Sequence, residues 1–301
     1  MKKKIVFILG TGHCGSTLLD LILSSSNDAF GLGELWQLGV QEGFRSGSIP
    51  ISNIKGDEDS FWSKERRKRV LRFFKERGKL VRKLQHMGLV KLPYNDLYTY
   101  LFNETGANTL IDSSKSFYWL SKVLPEISRK ELFEPYLLYL VRDARAVISS
   151  YFRKYPERGL EAIVKDWQRR VGQLDPIFDT FEGEKKIVRY EELCLTPAKE
   201  VKGIMDWVGS DFDNAMLRFW EKDHHHIGGN SGTKSLLLKF REQDSSHLLQ
   251  DEQKTKYYSS HDLGIKLDER WKSDLKPEEV SFIEKLISEH QSAHFWGEVH
   301  S

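Results

Sequence analysis

Lys4-Ile5-Val6-Phe7-Ile8-Leu9-Gly10-Thr11-Gly12-His13-Cys14-Gly15-Ser16-Thr17-Leu18-Leu19-Asp20-Leu21-Ile22-Leu23 is the stretch that decides the fold. Ile5 to Leu9 are apolar on both faces, which suits a central parallel strand covered by helices on either side. A glycine-rich turn runs from Gly10 to Gly15. Ser16 to Leu23 then reads as a helix with an apolar face. Strand, loop, helix is the opening of an α/β unit.

The same rhythm continues outward from it. Short apolar runs at Asn108 to Asp112, Tyr136 to Val141 and Lys185 to Tyr190 read as further strands. Helical patterns lie between or after them at Ala144 to Phe152, Leu160 to Leu174 and Pro197 to Val208. Strands separated by helices imply a parallel sheet. Pro277 to Ile287 reads as a late helix, with proline in its first turn and Glu278 and Glu279 beside the positive end of its dipole. Residues 41–105 break the rhythm. They read as a helical insertion capping one side of the sheet, the acceptor side in the reading developed below. Lys64 to Lys83 carries eleven basic residues against Glu65 and Glu76, with Val70, Phe73, Phe74, Val81 and Leu84 near helical spacing. We expect a single domain over residues 1–301.

Composition narrows the function classes. The 301 residues include 17 Phe, 11 Tyr and 8 Trp, enough for a packed interior, which excludes a disordered chain. Mean hydropathy is −0.51, and no window approaches the roughly 20 apolar residues of a membrane span, so no membrane insertion is expected. With 46 basic against 44 acidic residues the net charge is +2, too little for a global field that gathers nucleic acid. The apolar run after Met1-Lys2-Lys3-Lys4 stops after five residues, short of the roughly 7–15 of a secretory core, so a cytoplasmic location is the expectation. Cys14 and Cys194 are the only cysteines. Two thiols do not make a disulfide framework, and their pairing stays open.

The backbone N–H groups of the Gly10–Gly15 turn and the helix N-terminus behind it would form an anion cradle. Its spacing is that of a P-loop, glycine, four residues, glycine, but Ser16 stands where the phosphate-binding lysine belongs. Close strand-to-helix packing is the plainer use of such glycines. The strand at Tyr136 to Val141 ends in Arg142 rather than a magnesium-binding aspartate, and a cation there suits an anion better than a metal. Arg142 and Ser150, eight residues apart, can face one crevice at the carboxyl edge of the sheet.

Four segments resemble the PAPS-dependent sulfotransferases: Gly12-His-Cys-Gly-Ser-Thr-Leu-Leu19, Leu140-Val-Arg-Asp-Ala-Arg-Ala-Val-Ile-Ser-Ser150, Val188-Arg-Tyr-Glu-Glu-Leu193, and His226-Ile-Gly-Gly-Asn230 with Lys234 following. They run in the family's order. The resemblance implies a P-loop-NTPase-like three-layer α/β/α fold and PAPS as donor, leaving PAP, with no metal required. It implies that Gly12, His13, Cys14, Gly15, Ser16 and Thr17 hold the 5′-phosphosulfate. Arg142, Ser150 and Lys154 would hold the 3′-phosphate, Tyr190 would lie near the adenosine, and Gly229, Asn230 and Lys234 would close over the nucleotide. His13 stands where the family commonly has Lys or Arg. Glu34, in Gly31-Leu-Gly-Glu34, is similar to the Gly-Glu element that supplies the base in some members. His13 is the rival base, and a helix-capping role is the plainer reading of Glu34. Lys115, after Asp112-Ser113-Ser114, could neutralise charge on the transferring sulfonate, whereas Asp and Ser are also strong helix caps.

The implied reaction is in-line displacement at sulfur on a hydroxyl of a sugar, tyrosine or other alcohol, an anionic acceptor among them. The alternatives are a small-molecule kinase with a degenerate P-loop, and a non-enzymatic anionic-polymer binder built on residues 64–83. A charge run is more often a solvated helix face, and nucleic acid is not the expected partner. His224-His225-His226 cannot all face one metal from a regular element. Cys14 at a helix N-terminus could be redox-sensitive, although a small packed residue is the simpler reading. Trp167, Trp207 and Trp271 read as core.

Overall fold

A strand apolar on both faces has to be buried on both, and the computed structural model, which describes residues 2–38, 61–75, 94–245, 249, 252–288 and 294, places Lys3–Leu9 (β1) at the centre of the sheet. The other strands are Ala29–Gly33 (β2), Thr109–Asp112 (β3), Phe133–Val141 (β4) and Glu184–Arg189 (β5). All pair in parallel in the order β2-β3-β1-β4-β5. The α/β expectation holds, and the three anticipated later strands appear within a few residues of their expected bounds. β2 is additional: Ala-Phe-Gly-Leu-Gly has two glycines and little intrinsic strand preference.

Side chains of β1 alternate between two layers, as the two-residue strand period demands. Ile5, Phe7 and Leu9 join a core with Tyr94–Thr105 and Phe117–Lys130 (α3 and α4, after α1 at Ser16–Leu23 and α2 at Lys64–Lys75). Val6 and Ile8 join the opposite core. There they meet α1, Tyr190–Leu195 (α7), Pro197–Val208 (α8) and Ser231–Phe240 (α9). Ala144–Lys154 (α5), Leu160–Thr180 (α6) and Pro277–Ser288 (α12) share a third apolar cluster. Glu252–Ser259 (α10) and the short Trp271–Asp274 (α11) complete the helices. No helix among the described residues is long and apolar enough to cross a membrane.

From β1 the chain runs to β2 at one edge, returns to β3, then crosses to β4 on the other side of β1. The carboxyl ends of β1 and β4 therefore flank the point where the winding reverses, the ligand position in open α/β sheets. Their register runs from Lys3 opposite Phe133 to Leu9 opposite Tyr139, so the glycine turn and Arg142 emerge side by side.

Of the expected insertion, residues 41–60 and 76–93 lie outside the described residues, including Val81 and Leu84 of the basic run. α3 is the crossover from β2 to β3, with Leu97, Tyr98 and Leu101 fully buried. α2 buries Val70 and Leu71, and Phe73 packs 5.9 Å from the Tyr100 ring of α3. Arg66 pairs with Glu104 at 2.9 Å, so part of the basic helix is used in holding α2 to α3.

Candidate active site

The turn after β1 is shaped by close neighbours. A Cβ on Gly10 would lie 2.8 Å from the Leu140 carbonyl, and one on Gly15, whose φ is +99°, would lie 2.4 Å from the Tyr190 ring. His13 takes a left-handed φ of 63°, rare for a residue with a side chain. Cys14 turns away from the cavity into the core beside Ile8 and Leu140, and burial pushes its thiol up. Burial also raises Cys194, to about 12, and the two thiols are free. The geometry thus favours Cys14 as a packed residue over a reactive one, and it is not part of the cavity wall.

Arg142 leaves the end of β4 toward that turn. Its Nη1 donates to the His13 carbonyl at 3.0 Å and its Nη2 to the Asp268 carbonyl at 2.8 Å. The Asp268 carboxylate lies 3.5 Å away, and the guanidinium stacks 4.2 Å over the Tyr190 ring. The side chain is nearly enclosed, at 8% exposure, and its Nε has no hydrogen-bond partner. Two turns along α5, which Asp143 caps, the Ser150 hydroxyl lies 2.9 Å from His13 Nδ1. Lys154, one turn on, lines the same cavity. Burial, then Lys154, Arg142 and Lys115, lower His13 to about 3, so its imidazole is neutral. Its ring packs edge-on to Tyr151 at 4.4 Å.

The opposite wall comes from the ends of β2 and β3. Lys115, itself at φ 56°, places Nζ 2.7 Å from Glu34 Oε1, and Gln37 donates to Oε2. Burial pushes the Glu34 carboxyl up, but the Lys115 ammonium and these hydrogen bonds outweigh it and hold it below its ordinary value. The serine-rich run divides its work. Ser116 caps α4, while buried Asp112 accepts from Tyr98 at 2.5 Å and Trp119 at 3.0 Å. The capping explanation therefore accounts for Ser116 but not for Asp112 or Lys115.

The late loop closes the cradle from above. Gly33 pairs with Ile227 as an isolated bridge, and Glu34 N–H donates to the Ile227 carbonyl at 2.8 Å. Asn230 N–H donates to Thr17 Oγ1 at 2.9 Å while its side chain caps α9, and Gly229 has a φ of 85°. Lys234 departs from expectation. It is 1% exposed and absent from the cavity wall, with the Glu34 and Asp20 carboxylates as its charged neighbours; burial lowers it to about 8. One helical turn past Asn230 places it on the inner face of α9 rather than over a ligand. The three histidines diverge. His224 reaches Ser24 and the Phe219 carbonyl, His225 stacks on Phe30, and His226 lies 3.3 Å from Asp20.

These walls enclose a cavity of about 880 Å³, lined by Gly12, His13, Gly15, Ser16, Thr17, Glu34, Lys115, Arg142, Ser150, Lys154, Tyr190, Gly229 and Asn230. Several lining residues carried no sequence signal. Asp268 and Arg270 pair at 2.7 Å, Arg270 stacks 3.8 Å over Tyr257, and Arg158, Arg169 and Arg170 stand on another wall. Burial pushes the Asp268 carboxyl up, yet Arg270 and Arg142 hold it far below the usual carboxylate range. Leu267-Asp-Glu-Arg270 has no glycine signature or spacing to mark it; only the fold brings it to Arg142.

The chain is similar over nearly its whole length to two solved structures. One is the sulfotransferase domain from the Synechococcus PCC 7002 olefin synthase, with 20% identity over 95% of this chain and 96% of that one and a TM-score of 0.53. The other is the sulfotransferase domain from the curacin biosynthetic pathway, with 19% identity, 95% and 97% coverage and a TM-score of 0.53. At these identities the likeness speaks for the fold. No curated protein matches the chain. A family model described as "Sulfotransferase family" matches residues 6–214, which runs from β1 through both walls of the cradle to the region after α8. The chain therefore belongs to the sulfotransferase family.

Proposed function

We propose that this sulfotransferase moves sulfonate from PAPS to a hydroxyl-bearing acceptor. One observation carries the reading: Arg142 points at the glycine turn, with Nη1 3.0 Å from the His13 carbonyl, so a single cavity offers cations and amides to both ends of a doubly charged adenylate. The residues fit such a group. Arg142 Nε is a buried donor without a partner, the walls are mainly basic, and the first-turn N–H groups of α1 have no acceptor within their helix.

When bound, PAPS supplies an electrophilic sulfonate with PAP as its leaving group. Gly12, His13, Gly15, Ser16, Thr17 and the backbone of Cys14 would hold the 5′ end. Arg142, Ser150 and Lys154 would hold the 3′-phosphate, beside Tyr190, with Gly229 and Asn230 above. Glu34 is the better base. It is ionised, it lines the cavity, and it can take the acceptor's proton as the oxygen attacks sulfur. His13 is engaged through Nδ1 with the Ser150 hydroxyl and packed against Tyr151, which suits it to hold one hydrogen bond rather than to take the acceptor's proton. As Glu34 gains the proton its hold on Lys115 weakens, which frees that ammonium for charge developing on the sulfonate. Lys234, among the Glu34 and Asp20 carboxylates, supports the base rather than the nucleotide. Trp36 and Gln37 lie on the cavity wall just ahead of residues 41–105, which supports the assignment of that segment to the acceptor side.

A thermal-shift titration tests the reading. PAP stabilises the protein and ATP with Mg²⁺ does not; the reverse result assigns the cradle to a kinase and removes the proposal.

A further inference from the structure

The wall formed by α6 and the segment before it holds more positive charge than the donor site uses. Arg158, Arg169 and Arg170 all converge on one carboxylate, Asp166, at 3.5, 2.5 and 3.1 Å. One anion against three guanidiniums leaves a surplus of two cations. Their side chains are 38, 56 and 42% exposed, and all three line the cavity. On the same cavity, α4 presents Tyr118 at 63% exposure. Isolated surface arginines mean little, because water solvates them well. Three sharing one counter-ion at the rim of a cavity are different. They are held in place by Asp166, and their donors are incompletely matched, so an added anion gains charge-assisted hydrogen bonds without first ordering the side chains.

Resting on the sulfotransfer reading above, we infer that the acceptor is a small hydroxyl compound carrying a carboxylate, sulfate or phosphate away from the reacting hydroxyl, and that Arg158, Arg169 and Arg170 receive that group. The basic helix at 64–75 contributes no residue to the cavity wall, and its Arg66 is engaged with Glu104.

The test is calorimetric binding to the PAP-loaded protein of four matched probes: 4-nitrophenyl β-glucoside, its 6-phosphate, its 6-sulfate, and the corresponding glucuronide. At low ionic strength at least one anionic probe binds about tenfold more tightly than the glucoside, as one or two charge-assisted hydrogen bonds require. High salt narrows the gap. Which probe leads identifies the anion. Arg169→Ala with Arg170→Ala, and separately Arg158→Ala, reduce the preference while PAP affinity, the control for folding, stays within about twofold. Asp166→Asn keeps a side-chain oxygen for the arginines to donate to but removes the competing charge, so it acts in the opposite direction and raises affinity for the anionic probe, a result that loss of mere scaffolding could not produce. Equal binding of all four probes overturns this inference alone. An arginine variant that weakens PAP binding while sparing the preference reassigns the wall to the donor and also overturns it. If the wild-type protein does not bind PAP, the donor reading itself falls, and the acceptor assignment with it.

Discussion

Arg142 is held from three sides, by the His13 carbonyl, by Asp268 and by the face of Tyr190, and only a planar fork meets all three. Arg142→Lys keeps the charge but loses the fork and the stack, so PAP affinity falls about tenfold to a hundredfold by calorimetry, as loss of one or two charge-assisted bonds implies. Glu34→Gln keeps the shape and removes the proposed proton acceptor. Turnover falls by about 10²–10⁴ while PAP affinity is unchanged, which steady-state kinetics and calorimetry together check. At this scale the meeting of the glycine turn with Arg142 was legible, because a turn after one parallel strand and a residue ending another both belong at the carboxyl edge of the sheet. Lys234 was not. A lysine three residues into a helix reads as available, and only the packing of α9 shows that it faces inward. The roles of Asp268 and Arg270 depend on a contact 126 residues away, for which no local pattern exists.

Among the elements, the junction of β2 with the late loop is the most exacting. Gly33 has a φ of 70°, and a Cβ there would fall 2.3 Å from the Ile227 carbonyl oxygen and 2.4 Å from its nitrogen. Both atoms are backbone, so no rotamer change relieves the overlap. Gly33→Ala therefore costs about 2 kcal/mol or more through strain and displacement. It also moves Glu34, whose N–H is tied to the same carbonyl. A lower denaturation midpoint together with reduced turnover is the expected pair of results; turnover intact at full stability would show the junction to be unimportant. β1 and β4 were readable as strands because unbroken apolar runs have few other homes, and β3 and β5 from the shorter β-branched runs Thr109-Leu-Ile111 and Ile187-Val188. β2 was hidden by its two glycines, the same residues that let it approach Asp20 and Ile227 closely.

For the whole molecule, buried neutral histidines set the acid limit. His13 is lowered to about 3 and His224 to about 4, chiefly by burial, from an ordinary value of 6.5. Between about pH 6.5 and 4 the unfolded chain takes up protons on both that the folded chain refuses, so stability falls as pH falls through that window. The urea midpoint should decline over this range, and His224→Gln should flatten the decline; a midpoint independent of pH there would contradict the assignment. The doubly wound architecture was legible from the alternation of strands and helices, and the place of the cavity followed from the strand order. What stayed illegible was closure, because residues 252–270 reach the site through tertiary packing alone. They bring with them a resident carboxylate, Asp268, clasped between Arg142 and Arg270. At that end of the cavity Arg142 and Arg270 thus already have a counter-charge of the protein's own. On the proposed reading, a nucleotide phosphate would take the place of that carboxylate beside Arg142, so the dependence of binding on salt is expected to be gentler than a tally of the cations around the cavity suggests.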